Sequence, residues 1–303
     1  MLNRFRRSKA LQLFGLISPG MLWILLFFNL PILIVLFISF VERGRAGSIR
    51  IPPVYTLENY VQLFNACASE FSGPECNPLL YVGIFGHSVR IALIVTFWCI
   101  VLGYPLSYFV SRQRPLLRDA LMVLVIIPFW SNFLVRTYAL KQVLATEGLV
   151  NSFLMGLGLV NQPLEMLFNE FAVIVGLVYG YLPFAILPMY ASIEKFDHSL
   201  MEAASDLGAP PWKAFLRVML PMTLPGVIAA LVLVFVPVVG AFITPDIMGG
   251  GKIEMIGTLI NRQFGVSRNW PFGSAMSLIL MLMVLIGVIA YFRSGSEETR
   301  RAM

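Results

Sequence analysis

The chain has 303 residues, 58% of them hydrophobic and 13% charged, with a formal net charge of +6. A soluble globular domain carries about 25% charged residues, and a soluble core does not ordinarily produce repeated apolar runs of about 20 residues, the length that crosses a roughly 30 Å hydrocarbon layer as a helix. The composition therefore argues against a water-soluble enzyme. The basic excess clusters at the ends of apolar runs, so it reads as topology signalling and contact with anionic lipid headgroups, not nucleic-acid binding.

Six apolar runs follow in chain order. A basic tail, residues 1–10 with Arg4, Arg6, Arg7 and Lys9, precedes the first run at 11–41. The tail resembles the start of a signal peptide, but the run far exceeds an apolar signal core of about 7–15 residues. An uncleaved first helix with a bend at Pro31 is expected. Further spans are expected at 83–110, 117–138, 170–193, 222–245 and 272–292, ahead of a tail at 294–303. Residues 143–169 are broken by Glu147, Asn151, Asn161 and Glu165. They read as a loop with a short surface helix, and a seventh span there is the rival topology. The expected fold class is all-α, a polytopic transmembrane bundle; a β-barrel would need alternating strands of about ten residues. Gly176 and Gly180 form a Gly-x-x-x-Gly pair, a spacing that permits close helix approach but also arises by chance.

With six spans, the N-terminal tail, residues 111–118, residues 194–221 and the C-terminal tail share one side. That side holds thirteen of the 22 Lys and Arg residues. The positive-inside rule makes it cytoplasmic, with both termini there, and turns the loop 42–82 outward. That loop holds Cys67 and Cys76, for which a disulfide and two free thiols both fit an oxidising compartment. Cys99 lies inside an apolar run as a core residue. No C-x-x-C pattern occurs, and His87 and His198 lie far apart, so no metal site is expected.

The most informative stretch is polar. Between the fourth and fifth spans runs SIEKFDHSLMEAASDLGAPPWKAFLRVMLPMTLPG, residues 192–226. Ser199 can cap a helix, with Glu202 three residues on completing a capping box. Gly208 then ends or bends that helix, and Pro210 and Pro211 suit the start of another. In the second segment Trp212, Phe215, Leu216 and Met219 recur at helical spacing. Two short helices along the membrane surface are expected. Such an element suits an interfacial loop, and it equally suits docking of a soluble partner.

The run from Glu202 to Pro221 resembles the cytoplasmic signature of binding-protein-dependent ABC transporter permeases. The pattern is EAA, three residues, Gly, nine residues, an aliphatic residue, one residue, Leu-Pro. It is met by Glu202, Ala203, Ala204, Gly208, Val218, Leu220 and Pro221, with Val218 in place of the commoner Ile. The segments 102–112, 128–139, 187–209, 239–252 and 269–278 are similar to permease subunits of spermidine/putrescine importers. The resemblance implies the type I (MetI-like) importer fold. It also implies a coupling helix seated on a separate ATPase dimer that binds ATP and Mg, with Glu202, Ala203, Ala204 and Gly208 as docking positions. A second homologous permease and an extracytoplasmic substrate-binding protein complete the implied machine, in a bacterial inner membrane. Another small organic solute or ferric ion is the alternative cargo.

The chain itself lacks a nucleotide-binding loop: GGGK at 249–252 is followed by Ile253, and Asp246 stands where the upstream glycine of the motif belongs. No cofactor and no catalytic constellation are expected. A polyamine path would use aromatic faces and carboxylates, making Trp130, Asn132, Tyr138, Tyr179 and Tyr181 candidates, each also able to serve in helix packing or an interfacial belt, and Asp246 a candidate at the outer mouth that can alternatively cap the turn after Pro245. Arg136 near such a path is expected to snorkel outward or meet the binding protein. A secondary transporter would instead show paired inverted repeats, and no clear internal repeat is visible.

Overall fold

The structure, a computed structural model, describes residues 9–44, 52–68 and 77–301. Within them the chain is helical. Five helices are long and apolar enough to cross a membrane: Leu16–Ser39, Leu80–Ser111, Glu170–Glu194, Pro211–Val239 and Trp270–Ile289. A sixth candidate is a broken pair, Pro115–Trp130 and Phe133–Gly156, bent by 96°. Two units are distinguishable, Met1–Tyr81 with Ile260–Gly287, and Val82–Leu259 with Val288–Met303.

In the first unit, α1 (Lys9–Ile24) and α2 (Leu30–Ser39) are joined without a break by a π-helical turn, Leu25–Asn29. The expected bend at Pro31 takes this form for a simple reason. Proline has no N–H to return to the preceding turn, and the register slips just ahead of it, so that Leu30 donates to Leu25 O, five residues back. The end of α2 is stitched to α3 (Glu58–Phe64) by polar contacts. Asn59 Nδ2 donates to Ser39 O at 2.9 Å and Val41 O at 3.0 Å, and Ser39 Oγ lies 2.7 Å from the Tyr60 hydroxyl.

The second unit is built on three helices: α4 (Leu80–Ser111), α8 (Glu170–Glu194) and α11 (Leu220–Val239). Val95 and Cys99 of α4, Leu177, Ile186 and Met189 of α8, and Val234 and Val238 of α11 are all buried. Lipid chains are as apolar as leucine, so burial alone does not drive such helices together; small residues and interhelical hydrogen bonds do. Gly103 of α4 admits Met189, whose Cε would stand 2.8 Å from an added Cβ. Gly226 of α11 lies against Ser192 and the Pro188 carbonyl of α8. Thr223 Oγ1 donates to Met219 O and accepts from the Tyr104 hydroxyl at 2.8 Å, and Ser107 Oγ donates to Ile186 O at 3.2 Å.

Two expected spans are divided. The run 117–138 is not one helix: α5 (Pro115–Trp130) stops and α6 (Phe133–Leu144) restarts at an angle. Ser131 and Asn132 are extended, with ψ of 149° and 133°. Ser131 Oγ donates to Pro128 O at 2.7 Å, and Asn132 Oδ1 accepts from Leu134 N at 2.8 Å, so each polar side chain finishes one helix end. The run 222–245 likewise ends at Val239. Gly240 turns the chain into α12 (Ile243–Gly249), and the Gly240 and Ala241 carbonyls lie where a side chain on Gly257 would have to sit.

Residues 143–169 contain α7 (Leu149–Gly156) and otherwise irregular chain. Asn151 is fully buried: its Nδ2 donates to Ala145 O and Leu164 O, and its Oδ1 accepts from Leu164 N. Of the Gly176/Gly180 pair, Gly176 meets Thr244 and Met248 of α12, while Gly180 faces Phe133 of α6 at 3.2 Å from an added Cβ. The last helix, α13 (Trp270–Arg301), continues beyond its apolar part through residues expected as a tail.

Candidate functional site

The polar connection between α8 and α11 folds into a projecting corner. Its first element is α9 (Ser199–Asp206). The expected capping box does not form. Ser199 is already helical, and Asp197 takes the capping role, its Oδ1 accepting from Ser199 N at 3.0 Å. That backbone bond, then the bond with the Ser199 hydroxyl, holds the Asp197 carboxyl below the usual carboxylate range. His198 is helical in φ and ψ and supplies no side-chain cap.

At the other end of α9, Gly208 has φ of +79°, the left-handed region that favours glycine. Gly208 N donates to Ser205 O and Ala209 N to Ala204 O, which makes the turn a Schellman motif and satisfies carbonyls the helix leaves open. The signature glycine is thus favoured by backbone geometry. Nothing in its own chain lies within 4 Å of an added Cβ.

α9 buries none of its residues. Glu202, Ala203 and Gly208 are exposed and Ala204 is half-buried. Leu207 is 89% exposed at the tip and Trp212 61% exposed beyond it. The second expected surface helix departs from its reading. α10 (Pro211–Ala214) runs through a π-helical turn, Phe215–Met219, directly into α11, so that Pro211–Val239 is one continuous helix. Pro221 repeats the arrangement at Pro31: Leu220 N reaches back to Phe215 O. The apolar residues also divide between two faces. Ala214 and Met219 are buried and Phe215 packs edge-on to Tyr104 at 5.6 Å, whereas Trp212 and Leu216 remain exposed.

The candidate path residues are scattered. Trp130 ends α5 and is 87% exposed; Asn132 caps α6; Tyr138 of α6 and Tyr179 of α8 are exposed. Tyr181, two residues from Tyr179 and so on another face, lies 6.0 Å from Phe184, which packs 4.8 Å from Phe129. Asp246 sits in the first turn of α12, its N–H bonded to Phe242 O, so it is a helical residue and not a cap after Pro245. Arg136 stacks its guanidinium on Phe129 at 5.1 Å and Phe133 at 5.6 Å. Sequence reasoning passed over the Phe129–Phe184 pair because each residue reads as ordinary apolar filler within its own run.

Cys67 is disulfide-bonded and Cys99 is a free, buried thiol; Cys76 lies outside the described residues, as do residues 1–8 of the basic tail. Among the described residues no group of three or more His, Cys, Asp or Glu is arranged to hold a metal ion. Gly250 and Gly251 both have positive φ and form a turn after α12.

Residues 103–294 match the family described as binding-protein-dependent transport system inner membrane component. The chain belongs to that family. It is an ABC importer permease, a multi-pass inner-membrane transport subunit and not an enzyme. It is 39% identical over 299 residues to the spermidine/putrescine transport system permease protein PotB of Haemophilus influenzae, covering 99% of this chain and 97% of that one. It is 41% identical over 273 residues to the protein of the same description from Escherichia coli K12, covering 90% and 94%. Among solved structures, a bacterial ABC transporter that imports the acidic polysaccharide alginate contains a chain of similar fold. That likeness has a TM-score of 0.70 at 16% identity and covers 98% of both chains. It reaches through the N-terminal helix and 52–68, which lie outside the family match.

Proposed function

We propose that this permease forms half of the translocation path of an ATP-driven polyamine importer, for spermidine, putrescine or both, and that α9 is its coupling helix. One observation carries the docking role: α9 places no side chain in its own chain's interior, yet it is capped at both ends and presents Glu202, Ala203 and Gly208 outward. A helix that fully buries none of its side chains leaves most of its surface free for another protein. Small side chains at 203, 204 and 208 allow a close approach, and Glu202 offers a carboxylate to the ATPase. The polyamine reading is supported by relatives of that description matched along nearly the whole chain.

The partners in this reading are an ATPase dimer that binds ATP and Mg, a second homologous permease, an extracytoplasmic binding protein and the surrounding lipid. The ATPase side is cytoplasmic, with both termini on it. The transmembrane domain runs from 11 to 293, and its outward loop is closed by a Cys67–Cys76 disulfide. Binding of ATP draws the two coupling helices together and biases a two-state equilibrium toward outward opening. Trp130, Asn132, Tyr138, Tyr179, Tyr181 and Asp246 are the proposed contacts along the path, aromatic faces and a carboxylate suiting a long cation. The test is uptake of labelled spermidine by proteoliposomes holding the complete complex, with unlabelled putrescine and unrelated solutes as competitors. Competition by polyamines alone is expected; transport of another solute with none of a polyamine would overturn the substrate assignment.

A further inference from the structure

We infer that Arg118 is a two-position clamp, hydrogen-bonded to Glu194 in this state and to Asp119 in the other, which carries movement of the α9 corner into the broken helix pair. The inference rests on the reading of α9 as the ATPase-docking element. Arg118 stands in the first turn of α5, and its Nη1 lies 2.8 Å from Glu194 Oε1. Glu194 is the last residue of α8, so only residues 195–198 separate it from α9. Displacement of α9 reaches this pair through a link of four residues.

Both charges occupy unfavourable helix ends. A cation at the N-terminus of α5 opposes the helix dipole, and so does an anion at the C-terminus of α8. Each offsets the other's penalty only while the two ends stay together, so the contact is sensitive to their separation. A second anion already stands within ion-pair distance of the same guanidinium. Arg118 Nε lies 3.7 Å from Asp119 Oδ1, too long for a hydrogen bond, and Nε is buried without a hydrogen-bond partner. Asp119 is an anion in the first turn of α5, where the dipole favours it. A guanidinium released by Glu194 can therefore satisfy that donor on Asp119 and is not left stranded. Two arrangements separated by a small shift are what a switch needs. From Arg118 the helix runs about 18 Å at 1.5 Å per residue to Trp130 and the break at Ser131 and Asn132. Arg118 acts as a positioning residue.

The experiment uses the complete complex in proteoliposomes, with Arg118→Glu, Glu194→Arg, the double reversal, and Asp119→Asn. Three quantities are read: co-purification of the ATPase, ATP hydrolysis, and labelled spermidine taken up per ATP. Each single reversal is expected to keep ATPase association and hydrolysis while uptake per ATP falls by about tenfold, the scale of ordinary coupling energies. The double reversal is expected to regain most of that loss, and Asp119→Asn to slow uptake and hydrolysis together. Unchanged uptake per ATP in the single variants, or a double variant no better than either, would overturn the clamp. Loss of ATPase association in the singles, restored in the double, would make the pair a structural brace and also overturn it. Unchanged rates in Asp119→Asn would overturn the second position. Failure of the ATPase to co-purify with the unaltered permease would instead overturn the reading of α9.

Discussion

Gly208 combines two demands that substitutions can separate. Its φ of +79° disfavours ordinary residues by roughly 1–2 kcal/mol, and asparagine tolerates that region better than most. Its own chain leaves room for a side chain. Gly208→Asn therefore keeps the turn while adding bulk, whereas Gly208→Leu does both kinds of damage. Both should insert normally and lose ATPase-linked uptake, the leucine variant more severely; normal uptake by Gly208→Leu would contradict the docking role. Asp197 offers a different handle. Its carboxyl is held below the usual range by the bonds from Ser199, so its contribution to the start of α9 is complete above the unfolded carboxylate value of about 4. That contribution is lost as pH falls through the lowered value. Amide protection factors at residues 199–202 should be constant from neutral pH to mildly acidic conditions and fall below that range, and in Asp197→Ala they should already be lower at neutral pH. The sequence pointed to Ser199 as the cap, and in the structure Asp197 takes that role. What decided between them was the helical backbone of His198, which starts the turn one residue earlier and which no residue preference announces.

At the scale of elements, apolar runs located the long helices well because span length is fixed by the bilayer. Their interruptions were harder to read. The run 117–138 hides its break since Trp130 and Phe133 keep it apolar on both sides of two polar residues, and Pro128 alone marks the weak point. Asn132→Ala should cost about 1 kcal/mol through loss of the α6 cap, seen as earlier thermal unfolding in detergent. Asn151 misled in the opposite sense: read as a loop marker, it is buried and ties 145 to 164. Glycines follow the same logic of contact. Gly226→Val should destabilise by about 1–3 kcal/mol through overpacking against Ser192 and Pro188. Gly287→Val, where nothing lies within 4 Å, should leave the melting temperature unchanged. Equal shifts for the two would contradict the packing of α8 on α11.

For the whole molecule, the apolar body and the polar corner carry different information. The body matches a solved alginate importer chain at 16% identity, so its fold tolerates wide change in sequence and says nothing of cargo. The corner identifies the machine, since its spacing was legible before any coordinate: EAA, then Gly208, then Leu220-Pro221. Geometry adds why those positions are spaced so: a capped helix, a left-handed turn, and a π-helical slip ahead of Pro221 that fuses the corner to α11. The proposed path residues were less legible because each polar or aromatic side chain in an apolar run serves helix packing as readily as a path. The most direct measurement is spermidine uptake by proteoliposomes containing this permease, its partner permease, the ATPase and the binding protein, with and without ATP on the side exposing α9. The expected result is uptake that requires both ATP and the ATPase. Uptake driven by an ion gradient with the ATPase absent would contradict it.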